Sequence, residues 1–477
     1  MLLLPALPIP AQQPGKQLTL KECYQLAKQG NTLVQQAQRS LQAREYALQA
    51  ENRSYYPKLD LLAGYNYLGK PLEINLQQVK DGVVNGSSAQ SVNTANEVYR
   101  QVTGQPLPQN VQDVIYNATK GIINTFYPDY NPALAKQSYF TAALALRQPL
   151  YLGGKISAAQ DLARTQVTGG QVNQEVVEKG LYFTVGAQYL RILYLNTILA
   201  HEAVLVQAFE KNRDYAASLK DNQVLPPYLL NWARVACVQA TNRYRNLALE
   251  KENALLELNN MLGQPLETVI TIEDTLQYEQ TPVAASGETE LLQQSPVYRL
   301  VANKTDLANV AVKASRSLAL PNIFAIGSLN LYQKDLPVTI PPWLLGVEMQ
   351  WNLFDGFQQS KRTKATKMLV EEAELAAAHT KTSLELQLQV AVNKMKALQN
   401  DVASLDSARQ QAHLTTTLVT DRMQNQLSSV KDVNDALLQE EEMQKIYYTA
   451  VMGYYLALAE YYNIIGTPEQ LAAYVDR

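Results

Sequence analysis

The same succession of segments occurs twice in this 477-residue chain. An alternating segment ends at Leu152-Gly153 and a long helical stretch follows, and the same happens after Asp355-Gly356. Gly356 stands 203 positions after Gly153, and this offset also carries Gly263 onto Gly466. A repeat of this length, with matched strand, helix and helix end, predicts two copies of one supersecondary unit.

Period-two alternation predicts two strands in each copy. They span residues 57–68 and 139–152 in the first copy and 321–332 and 343–354 in the second. Each is long enough to cross a bilayer when tilted. Because the chain has no run of about 18 apolar residues, we expect any membrane span to be a closed barrel rather than a helix.

The two faces of these strands differ in polarity. The polar face would line a barrel lumen, and it carries Arg147, Glu348 and Gln350. Aromatic residues near the strand ends, which we expect at the level of the lipid headgroups, are Tyr65, Tyr67, Trp343 and Trp351. A soluble sandwich can show similar alternation, but long strands with only one polar face favour a membrane.

Long stretches without proline predict the helices. We expect one helix over Leu18–Asn52, and two further pairs over 155–224 with 228–262 and over 358–427 with 430–465. The two longest would each reach about 100 Å. Apolar residues spaced alternately by four and three predict coiled-coil contact in the second copy: Leu384, Leu388, Ala391, Met395, Leu398, Val402 and Leu405.

These segments give the domain organisation. We expect a leader or signal remnant (1–17), a first repeat (18–263) with a long polar outer loop (69–138), a linker against the helices (264–287), a second repeat (288–466) and a C-terminal tail (467–477). The apolar leader could be a clipped secretory signal or a frayed N-terminus. Two cysteines far apart in sequence indicate neither a disulfide framework nor a metal site.

Four strands per chain cannot close a barrel, and an open sheet edge in lipid leaves peptide groups unpaired. Several copies must therefore share one cylinder. Three chains would supply twelve strands, although geometry alone also permits other multiples. The predicted fold is mainly α with a membrane β-barrel: a 12-stranded barrel continued by a long α-helical barrel.

Several of these segments resemble the TolC-like outer-membrane efflux protein family over nearly the whole chain outside the leader and outer loop. The resemblance rests on the opening 18–23 (LTLKEC), the strand-to-helix turn 351–357 (WNLFDGF) and the tip 423–436 (MQNQLSSVKDVNDA). In that family a glycine turn precedes Asp-Val-Leu-Asp-Ala. Here Asp432-Val433-Asn434-Asp435-Ala436 keeps both acids, and Gln426 replaces the glycine.

The resemblance implies a passive homotrimer in the outer membrane of a Gram-negative bacterium that extends through the periplasm. Its implied partners are outer-membrane lipid, a periplasmic adaptor (membrane fusion) protein and an inner-membrane efflux or secretion pump. The adaptor would dock on the helical tips, which consist of Asn222, Gln223, Val224, Leu225, Asn425, Gln426, Leu427, Ser428 and Ser429.

Asp432 and Asp435 are three residues apart and therefore share one helix face. The matching positions of the first copy are Leu229 and Trp232, so the acids occur in one copy only. In a trimer they would form a carboxylate ring that acts as gate and cation-selectivity filter. A plain solvated acidic face is the alternative.

No sequence pattern indicates an enzyme, a cofactor or a metal site. His201, His379 and His413 are isolated, and we expect His201 on the solvated surface. A net charge of −3 gives no electrostatic case for nucleic acid. The favoured function is a passive exit channel for multidrug efflux or type I secretion. The alternative is a coiled-coil surface scaffold or adhesin without transport, which explains the heptads but not the paired amphipathic strands.

Overall fold

The computed structural model describes residues 16–70, 76–127, 136–272, 274–280, 293–333 and 340–476. The chain forms two compact units. One comprises residues 53–154 and 317–355, and the other comprises 1–52, 155–316 and 356–477. Most of the predicted leader and the end of the predicted linker (281–287) lie outside the described residues.

The smaller unit is built on a four-stranded antiparallel sheet. Its strands are β2 (Lys58–Tyr67), β3 (Ser138–Tyr151), β5 (Asn322–Tyr332) and β6 (Trp343–Gln350), and their order in the sheet is β2-β3-β5-β6. The hairpin of the first half and the hairpin of the second half therefore lie side by side, joined by the β3–β5 ladder. Within the described residues β2 and β6 are the open edges.

The last predicted strand, 343–354, ends earlier than expected. Its ladder stops at the pair Asn322–Gln350. The partner strand is preceded by Pro321, which has no N–H to donate, so β5 offers no further partner beyond Gln350. Trp351 therefore lies outside the strand in which the sequence placed it.

The described part of the predicted outer loop 69–138 is largely helical. It contains α3 (Gln77–Thr103) and α4 (Gln109–Phe126), which pack on each other as a helical hairpin. Gly104 ends α3 in the left-handed conformation, with φ +67°. The high content of Gln, Asn, Ser and Gly concealed α3, whose apolar positions are few, and the prolines at 106 and 108 favoured a loop before α4.

The larger unit consists of long helices. They are α1 (Leu20–Gly30), α2 (Thr32–Asn52), α5 (Lys155–Asp221), α6 (Pro227–Leu262), α7 (Pro296–Ser317), α8 (Gln358–Gln424) and α9 (Val430–Ile464). The helices α5 and α8 each have 67 residues. The predicted heptad positions of α8 face the core: Leu384, Ala391, Met395 and Val402 are buried, and Leu388, Leu398 and Leu405 pack on them half-buried.

Among the described helices, α5 alone is apolar enough over 18 residues to be a candidate membrane span, and half of that window is buried inside the protein. Val185, Tyr189, Leu190 and Ile192 of α5 are fully buried. Burial by the protein itself accounts for the apolar composition of α5, which is a core helix of this unit.

The predicted single helix Leu18–Asn52 is broken at Asn31. The Asn31 side chain accepts from Leu33 N at 2.9 Å and so begins α2, while its Nδ2 donates to Met261 O at 2.9 Å. Gly30 lies directly against the carbonyl of Leu262 at the end of α6. The break therefore fits the end of α6 into the junction between α1 and α2.

The linker and the tail pack on the helices. Strand β4 (Ile270–Thr271) pairs in parallel with β1 (Lys16–Gln17), and Asn196 donates to the carbonyls of Ile272 and Asp274. The predicted tail 467–477 folds into a 3₁₀ turn (Pro468–Leu471) and α10 (Ala472–Val475). The Asp476 carboxylate then accepts from Leu20 N and Lys21 N at the start of α1.

Candidate functional site

Both predicted tips are the same helix ending. After α5, Gln223 has φ +63°, and after α8, Gln426 has φ +61°. Val224 N donates to Leu219 O, and Leu427 N donates to Arg422 O, each at 2.8 Å. Gln223 N also donates to Lys220 O at 3.0 Å, and Gln426 N donates to Met423 O at 2.9 Å; together these bonds form a Schellman ending, which usually has glycine in the left-handed position. Gln426, which stands where the resembling family has glycine, therefore adopts a backbone conformation that favours glycine.

A second apolar core holds the tips. It is formed by α5, α6, α8 and α9 and includes Phe209, Leu230, Met423, Val430 and Val433. Buried Asn212 of α5 crosses to α9, where its Nδ2 donates to Asn434 Oδ1 at 2.7 Å and to Val430 O at 3.2 Å. The apolar tip residues Val224 and Leu427 remain exposed. The turns thus present small apolar side chains on a well-packed base.

The two acids singled out in the sequence have different surroundings. Asp432 belongs to a capping box at the start of α9: Ser429 N donates to Asp432 Oδ2 at 2.8 Å, and Asp432 N donates to Ser429 Oγ at 3.2 Å. The backbone hydrogen bond from Ser429 lowers the pKa of Asp432. Asp435 pairs with Lys431 one turn earlier. Asp432 is therefore firmly ionised, and a neighbouring cation offsets the charge of Asp435.

In the sheet, the strand register sorts charge onto one face. Arg147 is paired with Lys58 and with Ile326 of β5, and Glu348 is paired with Phe324, two residues along β5 from Ile326 and therefore on the same side of the sheet. Opposed residues of an antiparallel pair point to the same side. Lys58, Asp60, Arg147, Glu348 and Gln350 consequently share a face, and the Arg147 guanidinium lies over the Phe324 ring at 3.8 Å.

The opposite face of the sheet is apolar. It carries Leu61, Leu345 and Val347, together with three of the four predicted interface aromatics, Tyr65, Tyr67 and Trp343, and all of these side chains are exposed. The fourth, Trp351, is beyond the end of β6, where its Nε1 donates to Ala319 O at 3.1 Å. A broad exposed apolar face backed by a charged one is the pattern of a sheet that borders lipid.

Sequence reasoning missed a buried charged cluster in the helices. Arg243 of α6 donates from Nε to Glu202 Oε1 of α5 at 3.3 Å, and from Nη2 to Glu441 Oε2 of α9 at 2.5 Å. Burial raises the pKa of Glu202 and of Glu441. The available signal was Glu202, a charged residue at a core position of α5 between Ile198 and Leu205.

His201 lies beside this cluster and corrects the surface prediction. It is half-buried, and its Nε2 lies 3.1 Å from the Tyr448 hydroxyl. Burial lowers the pKa of His201. In the described parts of the chain, no group of three or more His, Cys, Asp or Glu side chains is arranged to hold a metal ion.

Comparisons with known proteins identify the fold. Neither a protein-family model nor a curated protein matches the sequence. Several solved structures do match the fold of this chain. A membrane protein from Pseudomonas aeruginosa superposes with a TM-score of 0.72 at 14% identity, over 94% of this chain and 90% of that one.

Two further structures carry more explicit descriptions. The outer membrane protein VceC from Vibrio cholerae gives a TM-score of 0.68 at 14% identity, over 94% of this chain and 96% of its own. The CmeC outer membrane channel of Campylobacter jejuni gives 0.70 at 14% identity, over 94% and 86%. The TolC-like resemblance is thereby confirmed, and this chain has the fold of the outer-membrane channel proteins.

Proposed function

We propose that this chain is one protomer of a trimeric outer-membrane exit channel for substrates that an inner-membrane pump exports. The observation that carries the proposal is the sheet: four antiparallel strands with a charged face, an exposed apolar face and two open edges, in a chain with the fold of outer-membrane channels. Such a sheet enters lipid only when its edges are paired.

The family resemblance favours three copies in the closed sheet. Each β6 edge would pair with the β2 edge of the next copy, a head-to-tail contact that forms a ring when its rotation closes. The ring would have twelve strands, with Arg147, Glu348 and Gln350 in the lumen and Tyr65, Tyr67 and Trp343 toward lipid. The long helices, each about 100 Å from end to end, would form a second barrel in the periplasm.

The two tips are the proposed docking surface for a periplasmic adaptor. Their Schellman endings fix the backbone, and Val224, Leu225 and Leu427 offer small apolar contacts beside the polar Asn222 and Asn425. A photo-crosslinking residue at position 224 or 427 should capture the adaptor in intact cells. Capture of no periplasmic protein from either position would count against docking.

Asp432 and Asp435 are proposed to form the selectivity ring at the periplasmic end. The hydrogen bond from Ser429 N lowers the pKa of Asp432, and Lys431 pairs with Asp435. We expect Asp432→Asn with Asp435→Asn to reduce cation preference and divalent block in planar bilayers. Asparagine still accepts a hydrogen bond at the cap, so the helix start is retained. Asp221→Asn, at the end of α5, is the matched control and should leave selectivity unchanged, whereas equal selectivity in all three proteins would reject the ring.

The function itself is tested with the full chain, first in cells and then after purification. In cells, we expect the chain to fractionate with the outer membrane and to resist extraction by urea. After purification, we expect it to have the mass of three chains in detergent and to conduct ions in planar bilayers. A stable monomer that extracts with urea and produces no conductance would reject the channel and favour the coiled-coil scaffold instead.

A further inference from the structure

The helical hairpin of α3 and α4, inserted between β2 and β3, leaves an apolar surface uncovered. The inner face of α4 packs on α3 through the half-buried Ile115 and Ile123. Val111, Val114, Ile122 and Phe126 continue the same apolar arc beyond the contact. Val114 is 65%, Ile122 60% and Phe126 79% exposed. Two helices alone cannot cover an arc of this width, and a helix with such a face packs against a further element.

The hairpin is otherwise well formed, so the exposed arc is a surface of a folded element. Leu107, between the helices, is buried, and its N–H donates to Asn96 Oδ1 at 2.7 Å. The Tyr116 hydroxyl donates to Asn85 Oδ1 at 3.1 Å. On α3, Val84 and Ser88 are fully buried against α4. These contacts fix the rotation of α4 and hence the direction of its exposed arc.

Charge permits several hairpins to approach one another. Residues 76–127 include only three basic residues, Lys80, Arg100 and Lys120, and three acidic ones, Asp81, Glu97 and Asp113. Their net charge is zero, so identical hairpins do not repel each other at long range. A polar, nearly uncharged surface around an apolar stripe is suited to contact with another copy of itself.

The attachment of the α3–α4 hairpin to the sheet is a second reason to expect contact between hairpins. Leu68 N donates to Gln137 O at 2.7 Å, which extends the β2–β3 ladder, and by sequence only eight residues separate Leu68 from α3 and ten separate α4 from Gln137. If three sheets close one barrel, three hairpins leave the same rim. Short tethers to a common ring give effective concentrations on the order of millimolar, at which a weak apolar contact forms.

We propose that the α3–α4 hairpins of three protomers pack on one another through the exposed arc of α4 and form a six-helix cap at the outer mouth of the channel. This inference rests on the proposed trimer. The occupant of the arc is a second copy of the hairpin, and a head-to-tail arrangement places α4 of one copy on the hairpin of the next. The cap would narrow the outer mouth of the channel.

Photo-crosslinking in a purified, reconstituted trimer tests the cap. A benzophenone side chain at position 122 should join two chains at least about tenfold more than one at position 124, which lies about 200° further round α4 and replaces exposed Asn124. Mass spectrometry should locate the adduct in residues 76–127 of a second chain. As an independent check, Ile122→Asp should lower the chain-to-chain adduct from position 114 by a similar factor, while the trimer persists in detergent.

The alternatives give distinct results. Adducts with lipid at position 122 would place the arc in the outer leaflet and overturn the cap. Equal adducts at positions 122 and 124, or none between chains, would overturn it as well, while a conducting trimer would leave the channel proposal intact. A monomeric, non-conducting protein would remove both proposals together.

Discussion

Gly263→Ala should destabilise the helical unit by about 3 kcal/mol or more, a cost far above that of an ordinary surface substitution. Gly263 ends α6 with φ +68°, a conformation that costs alanine about 1–2 kcal/mol. An added Cβ would also lie within 3.0 Å of the backbone of Gly30 at the end of α1, where no flexible side chain can yield. Chemical denaturation in detergent, followed by far-ultraviolet circular dichroism, measures the loss.

Gly356→Ala is the matched control for this prediction. Gly356 has nearly the same φ, +67°, but no described atom lies within 4 Å of the Cβ it would gain. Its cost should be the conformational part alone, on the order of 1 kcal/mol. If Gly263→Ala and Gly356→Ala lower the free energy of unfolding by the same amount, the close approach of α6 to the α1–α2 junction adds nothing to the cost of Gly263→Ala, which contradicts the prediction.

The contact between Gly263 and Gly30 could not be predicted from the sequence, although the helix end at Gly263 could. Gly263 and Gly466 are recognisable as helix stops from the residues that follow them, since Pro265 and Pro468 cannot continue a helix. Their close neighbours, Gly30 and Gln294, are more than 170 positions away in sequence. Periodicity describes one element at a time, so it predicted the helix ends and gave no information about which backbone packs on them.

The strands show the same difference between features that are local in sequence and features that depend on a distant partner. Period-two alternation assigned Arg147 and Glu348 to the polar set, and the ladder puts them on one face, because side-chain direction is a local property of a strand. The end of β6 depends on its partner: Pro321, directly before the neighbouring strand, stops the ladder at Gln350. The helices of the outer loop were missed because Gly and Pro residues marked the segment as a loop, although α4 has an apolar stripe.

The tip acids were recognised in the sequence by type and spacing, but their hydrogen-bond partners depend on the fold. Asp432 belongs to the capping box of α9: its N–H donates to the Ser429 hydroxyl oxygen, and its carboxylate accepts from Ser429 N, which lowers the pKa of Asp432. The Asp432 carboxylate therefore serves both the start of α9 and the proposed cation selectivity. This is why the test uses asparagine, which keeps the acceptor and removes the charge.

The buried charged cluster divides two apolar cores along the same three helices. One core includes Tyr189, Leu258 and Tyr454, and the other includes Phe209, Ala233 and Val433. Glu202, Arg243 and Glu441 lie between them in the sequence of α5, α6 and α9 respectively. A charged layer between apolar ones penalises any slip of one helix past another, because a slip would leave the ions unpaired in an apolar core.

Arg243→Gln should therefore destabilise the helical unit by about 2 kcal/mol at neutral pH, because buried Glu202 and partly buried Glu441 lose their shared cation, while the one-third exposure of Arg243 lets water offset part of the loss. The loss should depend on pH. Burial already raises the pKa of Glu202 and of Glu441, and removing the arginine raises both further. A carboxyl group whose pKa is higher in the folded state than in the unfolded state stabilises the fold at pH values below its unfolded pKa. This contribution is lost as the pH rises through its folded pKa. The deficit of the variant should thus be largest near pH 7 and shrink toward pH 5, as measured by denaturation at both values.

Arg191→Gln is the control for this prediction. Arg191 pairs with Glu257 at 3.2 Å, but both side chains are about half exposed, so water replaces the lost partner. Its cost should be at most about 1 kcal/mol and nearly the same at both pH values. A loss in Arg243→Gln that is equally small, or that does not change with pH, would mean that water reaches Glu202 and Glu441 and that the layer does not fix the register of the helices. A large, acid-relieved loss would instead identify Arg243 as the residue that locks α6 to α5 and α9 between the two cores.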